Sequence, residues 1–143
     1  FLGAIDTKYT TWDDMMNHFK EYGFKLFSPD THFDLEYPSD NNRAPQPGFL
    51  MRFNLYRIFK EALGNIVKHA HAKNVRVTVS LSSKEMEMRV ADNGIGFVPE
   101  EAIKEVHYGI RNMQRRAKEL GGILNLHSEK GKGTFVHLRI PIG

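Results

Sequence analysis

The stretch Asp92-Asn93-Gly94-Ile95-Gly96 constrains the fold of this chain more than any other part of it. It follows the segment Glu85 to Ala91, where apolar and charged residues alternate as in a strand. An acid at a strand end, followed by Asn-Gly and a second glycine, predicts a tight turn whose backbone can approach a flat ligand closely. An ionised aspartate accepts hydrogen bonds without donating them, so it can bind an exocyclic amino group. Alone, the pattern is more typical of a plain structural turn.

Composition narrows the class of protein. With 143 residues, 41% hydrophobic and 26% charged, the chain is expected to form one globular domain with a real core. The absence of cysteine excludes disulfides, cysteine-based zinc sites and thiol catalysis. No apolar run of the printed sequence is long enough to cross a bilayer, and these residues are not expected to include a signal peptide. The net charge is +3 with scattered basic residues, which argues against a nucleic-acid partner.

The N-terminal segment predicts a short helix. Thr11 to Asp14 resembles a capping box, so a helix is expected from about Trp12 to Tyr22, ending at Gly23. Because the chain begins with Phe rather than Met, we expect a piece of a longer protein. Residues 1–10 would be the end of an upstream dimerisation helix and a linker, and residues 11–143 the folded domain. The apolar face of the short helix would consist of Trp12, Met15, Met16 and Phe19.

A strand, a loop and a long helix follow. Thr31 to Tyr37 alternates as a strand does, and the proline-rich segment Pro38 to Gly48 predicts a loop. A long helix is expected from about Leu50 to His71. Its buried stripe, at helical spacing, would consist of Leu55, Ile58, Phe59, Ala62, Leu63, Ile66 and Val67.

The second half of the chain predicts two hairpins separated by helical segments. A short helical turn is expected at Pro99-Glu100-Glu101, and a helix from Gly109 to about Leu120 that Gly121-Gly122 terminates. The four strands are expected at Asn74 to Leu81, Glu85 to Asp92, Ile123 to His127 and Thr134 to Ile140. Since the strands are apolar mainly on one face, the order of elements predicts an α+β fold. It would be a two-layer α/β sandwich, with a mixed, mostly antiparallel sheet and the helices on one face.

Four polar residues mark one flank of the long helix. Glu61, Asn65, Lys68 and His69 fall within a sector of roughly 100° beside the apolar stripe. The carboxylate can accept a proton, and the amide oxygen can bind a hard cation such as Mg²⁺. The ammonium and imidazole groups can donate to phosphate oxygens. A solvated helix flank explains the same cluster equally well.

Three glycine sites follow the long helix: Gly94 with Gly96, Gly109, and Gly131 with Gly133. Gly109 is expected at a helix N-terminus, where free backbone N–H groups favour phosphate. The pattern is neither a Walker loop nor a Gly-x-Gly-x-x-Gly dinucleotide turn.

In their order and spacing, these motifs resemble those of one ATPase family. Glu61 to Ala70 resembles the N-box of the family shared by gyrase, Hsp90, sensor histidine kinases and the mismatch-repair protein MutL. Asp92 to Gly96 resembles its first glycine box, Gly109 to Ala117 its second, and Gly131 to Thr134 its terminal Gly-x-Gly-Thr. The best match is the ATP-binding catalytic domain of bacterial sensor histidine kinases, in the group with a Glu-bearing N-box and a very short lid. The resemblance covers about Asp6 to Ile142.

The resemblance implies the Bergerat ATP-binding fold and an adenine pocket. Asp92 would bind adenine N6, and Gly94, Gly96 and Thr134 would shape the pocket around it.

The N-box would bind the phosphates of ATP. Asn65 would hold Mg²⁺ bridging the phosphates, and Lys68 and His69 would face them. Glu61 would be the catalytic residue, polarising water or completing the metal shell. The metal would neutralise charge on the transferred phosphoryl group.

The resemblance also implies a lid, to which Gly109 and Ile110 would contribute backbone N–H groups. Two features depart from the family pattern. His107 stands where the second glycine box usually has glycine, and the phenylalanine box is not recognisable because only Val98 to Tyr108 separates the glycine boxes.

A sensor kinase needs a phosphoacceptor histidine, and none is expected here. No histidine of the chain is followed by Asp or Glu. The acceptor would lie on an upstream dimerisation domain, and the full-length protein would be a homodimer that acts on a response regulator. It is a candidate for membrane anchoring, with this domain in the cytoplasm.

Other readings stay open on the same residues. A serine kinase of the anti-sigma-factor type would share the fold, as would a DNA-associated or chaperone ATPase. A nucleotide-binding pseudo-kinase would fit the altered residue His107, although intact Glu61 and Asn65 argue against it.

Overall fold

The computed structural model describes residues 11–27, 29–38 and 44–143. The predicted end of an upstream helix at Phe1 to Ile5 and part of the predicted Pro38 to Gly48 loop therefore lie outside the described residues. The helices are α1 (Trp12–Leu26), α2 (Phe49–Asn65) and α3 (Lys104–Glu119), with a π-helical turn at Ile66–Ala70 and a 3₁₀ turn at Pro99–Glu101. The strands are β1 (His32–Glu36), β2 (Asn74–Leu81), β3 (Glu85–Asp92), β4 (Ile123–Glu129) and β5 (Gly133–Pro141).

The five strands form one sheet in the order β1-β2-β3-β5-β4. Strand β1 pairs with β2 in parallel, and every other pair is antiparallel. Alternate residues of the central strands, such as Val77 and Met88, are buried in the same core as the apolar stripes of the helices. The predicted two-layer α/β sandwich with a mixed, mostly antiparallel sheet is confirmed.

Helix α1 begins as predicted and ends later than predicted. The Thr11 hydroxyl accepts a hydrogen bond from the Asp14 N–H at 3.1 Å, so the cap is present. Gly23 does not end the helix, which continues to Leu26. Gly23 is buried where a Cβ atom would enter the ring of Phe33. The glycine therefore permits close packing of α1 on β1, and the predicted termination there is wrong.

The predicted apolar stripe of the long helix is buried except at Val67, which is 46% exposed. The α-helical pattern ends at Asn65, and the π-helical turn Ile66–Ala70 continues it with a wider spacing. Because a π-turn contains more residues than an α-turn, residues after Asn65 no longer follow the α-helical spacing. His71, at φ 50°, ends this turn in the left-handed conformation.

Helix α3 begins at Lys104, five residues before the predicted start at Gly109. Its buried residues Val106, Gly109, Met113 and Ala117 follow helical spacing, so Gly109 is part of the buried face. Its end agrees with the prediction. Gly121 adopts φ 72°, and the Gly122 N–H donates to the Ala117 carbonyl at 2.9 Å.

Candidate functional site

A cleft of about 500 Å³, including its part open to solvent, lies between the helical layer and the ends of β3, β4 and β5. Helix α2 and its π-turn form one side, and the loop after β3 forms another. The cleft is lined by Ala62, Asn65, Ile66, His69, Ala70, Val90, Asp92, Gly96, Phe97, Val106, Met113, Leu126, Thr134 and Val136. Most of its walls are apolar, with a few polar groups among them, as in sites for flat organic ligands.

Asp92 is the buried acid of the cleft. It is 8% exposed at the C-terminal end of β3, and its Oδ1 accepts a hydrogen bond from the Gly94 N–H at 2.8 Å. Burial raises the pKa of Asp92, and the backbone N–H groups of Gly94 and Thr134 partly oppose that shift. A carboxylate in this position is an acceptor fixed in an apolar wall.

The loop after β3 is fixed by backbone contacts on both sides. The Ile95 N–H donates to the Ala70 carbonyl at 2.8 Å, and the Gly131 N–H donates to the Ile95 carbonyl at 2.6 Å. Gly94 lies so close to Ala70 that a Cβ atom there would meet the Ala70 carbonyl oxygen. These contacts join the π-turn, the Asp92 loop and the β4–β5 turn into one unit.

Two further glycines make that unit possible. Gly96 and Gly133 have φ values of 63° and 89°. A Cβ atom on Gly96 would meet the Glu129 carbonyl, and one on Gly133 would meet the Asp92 carbonyl. Both positions therefore require glycine for conformation and for space.

Ser128 connects this unit to Thr134. The hydroxyl groups of Ser128 and Thr134 are 2.8 Å apart, and the Phe97 N–H donates to the Ser128 hydroxyl at 2.8 Å. The sequence alone does not predict a role for Ser128 or Phe97, because neither belongs to a glycine motif and their approach depends on the pairing of β4 with β5.

The polar end of the cleft lies at the junction of α2, the π-turn and α3. Asn65 and His69 line the cleft, and the buried Nε2 atom of His69 has no hydrogen-bond partner among the described residues. Lys68 extends outward, with its Nζ 3.3 Å from Glu105 Oε1. Glu105 Oε2 is also 4.0 Å from His69 Nε2. Glu105 was missed because the predicted helix began after it.

Glu61 packs against α3 rather than into the cleft. Its Oε2 lies 2.7 Å from the position that a Cβ atom of Gly109 would occupy, and the Nδ2 atom of Asn65 lies 3.6 Å from the same position. Glu61 and Lys68 line a neighbouring open groove together with Lys60. A side chain at position 109 would therefore displace the Glu61 carboxylate.

The structure brings half of the ten predicted site residues to the cleft wall. Those lining it are Asn65, His69, Asp92, Gly96 and Thr134. The other five do not line it, namely Glu61, Lys68, Gly94, Gly109 and Ile110.

Gly109 and Ile110 do not lie at a helix N-terminus as expected. They are the sixth and seventh residues of α3, beyond the free N–H groups of its first turn. The expectation of free N–H groups at a helix start is therefore wrong. A role for these residues in nucleotide binding stays a prediction. His107 is also helical, so its backbone does not require glycine.

Comparisons with known proteins agree with this architecture. The family described as histidine kinase-, DNA gyrase B-, and HSP90-like ATPases matches residues 52–143, and the chain belongs to this family. It is 37% identical over 89 residues to the sensor histidine kinase LiaS of Bacillus subtilis, covering 62% of this chain and 24% of that protein. It is 41% identical over 83 residues to the nitrate/nitrite sensor protein NarX of Escherichia coli, covering 58% of this chain and 14% of that protein.

The fold is also that of a solved kinase domain. The histidine kinase domain of a blue-light activated histidine kinase from Erythrobacter litoralis matches with a TM-score of 0.71 at 18% identity, covering 91% of this chain and 60% of that one. The chain spans a quarter or less of the two curated relatives. Among the described residues, no helix has the length and apolar character needed to cross a membrane.

Proposed function

We propose that this chain is the ATP- and Mg²⁺-binding catalytic domain of a sensor histidine kinase, of the short-lid group with a Glu-bearing N-box. It would transfer the γ-phosphoryl group of ATP to a histidine on a separate domain. The observation that carries the proposal is the buried Asp92 carboxylate, held by the Gly94 N–H in the wall of an apolar cleft.

The adenine ring would lie in the apolar part of the cleft. Asp92 would accept a hydrogen bond from adenine N6, and Thr134 would bind the same edge of the base directly or through water. Gly94 and Gly96 would act by keeping the loop close to Ala70 and Glu129, which fixes the direction of the carboxylate. An ionised acceptor favours a base with an exocyclic amino group over one with a carbonyl there.

The phosphates would lie at the polar end. Asn65 offers an amide oxygen to Mg²⁺, which prefers oxygen ligands and keeps water and phosphate in its shell. Among the described residues, no group of three or more His, Cys, Asp or Glu side chains could hold a metal alone. A cation shared between Asn65 and the phosphates fits this donor set. The free Nε2 of His69 and the ammonium of Lys68 would bind phosphate oxygens.

Glu61 would act next to the metal. Its carboxylate rests on Gly109, one turn of α2 from Asn65, so a small movement of α3 would expose it to the phosphates. There it would polarise a water molecule or complete the metal shell. The acceptor histidine would belong to a dimerisation domain, and a response regulator would receive the phosphoryl group. The full-length protein would be a homodimeric, membrane-anchored sensor.

Phosphoryl transfer to a separately produced phosphoacceptor domain tests the proposal. The isolated chain should bind ATP·Mg²⁺ and label itself at no stable position, because transfer requires the acceptor nitrogen to be held in line with the γ-phosphate. Adding the acceptor domain should give a label on that domain that acid removes and alkali does not. An acid-stable label would favour the serine-kinase alternative, and ATP binding without any transfer would favour the pseudo-kinase.

A further inference from the structure

The first turns of α2 carry large apolar side chains on the surface. Phe49 is 48% exposed and Leu50 is 62% exposed. The ring of Phe53, one turn later, is stacked on that of Phe49, with centroids 6.0 Å apart and an angle of 10° between the planes. Exposed apolar side chains are common singly, but a contiguous group of them marks an interaction site.

Arginines surround this aromatic pair. The guanidinium carbon of Arg57 lies 5.9 Å from the centre of the Phe53 ring, and that of Arg116 on α3 lies 5.4 Å from it. Arg116 also donates through Nη1 to Oδ1 of the buried Asn54 at 3.1 Å, which holds its guanidinium in place. We call the surface formed by Phe49, Leu50, Phe53, Arg57, Arg115 and Arg116 the α2–α3 patch.

The positive charge of the patch is not neutralised locally. Among residues 11–27, 29–38 and 44–143, no salt bridge involves Arg57, Arg115 or Arg116. Burial lowers the pKa of Arg116, the positive charges of Arg57 and Arg115 lower it further, and Glu119 opposes them. Arg57 and Arg115 therefore both repel the guanidinium group of Arg116 on this surface.

The arginines on the open face of the sheet differ from those of the patch because they are paired with carboxylates. There Arg76 pairs with Glu36, Arg89 Nη2 lies 2.6 Å from Glu87 Oε2, and Arg139 Nε lies 3.0 Å from Glu85 Oε1. Each arginine of that face has a carboxylate partner.

We propose that the α2–α3 patch is the docking surface for a helix of a partner protein that presents apolar side chains flanked by carboxylates. Aromatic side chains and arginine are the residue types that dominate binding energy at protein interfaces. Phe49, Phe53 and Arg57 form one line along α2 that is about 12 Å long, enough to contact two turns of a helix. Acidic groups beside that helix would neutralise the arginines. No residue of the patch lines the cleft, so docking is separate from nucleotide binding.

Binding of a synthetic peptide tests this inference. The probe is a fluorescent amphipathic helix of about five turns, built from leucine, alanine and glutamate, and measured by anisotropy at low and high salt. The whole chain should bind it more tightly at low salt and should not bind the same peptide with lysine in place of glutamate. Phe53→Ala and Arg57→Glu should each weaken binding roughly 30-fold, as interface hot spots do. Urea denaturation of each variant checks that it is folded.

The matched control is Lys84→Glu, which makes the same charge change on the exposed turn between β2 and β3. It should leave peptide affinity within about twofold, since Lys84 is not part of the α2–α3 patch. An equal loss with Lys84→Glu, or no binding by the unmodified chain, would overturn the proposal. Tighter binding of an oligothymidylate through the patch would assign it to nucleic acid, and a dimer that Phe53→Ala dissociates would assign it to a second copy. Either outcome would also overturn it.

Discussion

The two ends of the cleft are built differently. At the Asp92 end, a buried carboxylate is held by backbone contacts among the π-turn, the glycine loop and the β4–β5 turn. At the other end, exposed side chains such as Lys68 and Glu105 face each other across the gap between the π-turn and α3. The first end is fixed by the backbone and tolerates little change, whereas the second can rearrange by rotation of side chains. In the proposed function, recognition of the base would therefore depend on the backbone fold, and binding of the phosphates would depend on exposed charged side chains.

The largest effect should follow from loosening the fixed end. Gly133→Ala would place a Cβ atom against the Asp92 carbonyl at a positive φ, so the free energy of unfolding should fall by roughly 2–4 kcal/mol. Urea denaturation measures it.

Gly131→Ala is the matched control for this substitution. Gly131 has φ 85°, but no atom lies within 4 Å of its Cβ position, so its loss should be only about 1–2 kcal/mol. Equal losses for the two variants would show that conformation alone, and not the contact with Asp92, requires the glycine.

Removing the charge of the buried acid should affect ligand binding more than folding. Asp92→Asn can still accept from the Gly94 N–H but would lose the proposed charge-assisted bond to the base. ATP binding should weaken by about 1.5–3 kcal/mol, the scale of hydrogen bonds to charged groups. Titration calorimetry measures the affinity, and an unchanged value in the folded variant would remove Asp92 from the site.

Mg²⁺ should affect binding only at the polar end of the cleft. Asn65→Ala removes the proposed Mg²⁺ ligand, so ATP affinity in Mg²⁺ should fall by about tenfold, or 1.4 kcal/mol. Adenosine affinity should stay the same because the Asp92 end is untouched. Mg²⁺ dependence equal to that of the unmodified chain would contradict the assignment.

The burial of Asp92 should also be detectable in the pH dependence of the free energy of unfolding. Since burial raises the pKa of Asp92 in the folded protein above the ordinary value of 3.8, the folded state keeps this proton longer than the unfolded state. The contribution of Asp92 is thus most favourable below that ordinary value and declines as pH rises through the folded pKa. The free energy of unfolding should be measured across this pH range for the unmodified chain and for Asp92→Asn. The difference between the two should decline as pH rises, and a difference that grows with pH would contradict the prediction.

The smallest effect is expected from the ion pairs at the polar end of the cleft. Glu105→Gln removes the charge that pairs with Lys68 and lies near His69, so affinity for ATP should rise by no more than about 1 kcal/mol, as for exposed ion pairs. Adenosine binding should not change, and Glu101→Gln, a neighbouring acid outside these pairs, is the control. A fall in ATP affinity would mean that Glu105 positions the cations rather than competing for them.

Local sequence pattern determined much of this protein. Alternation of apolar residues located all five strands, and the helical spacing of Leu55, Ile58 and Phe59 located the buried face of α2. The Thr11 cap and the Gly121 terminus follow from side-chain and backbone chemistry within one turn of chain. Such features depend on neighbours in sequence, so the sequence alone predicts them.

The tertiary structure decided what several glycines do. Gly23 and Gly109 resemble helix boundaries in the sequence, but both are buried inside helices, against Phe33 and Glu61 respectively. It also decided that Glu105 meets Lys68, because that pairing requires α3 to begin at Lys104. A glycine can end a helix or permit a close contact, and its backbone freedom is the same in both cases. Only the atoms that approach it from elsewhere in the chain determine which role it has.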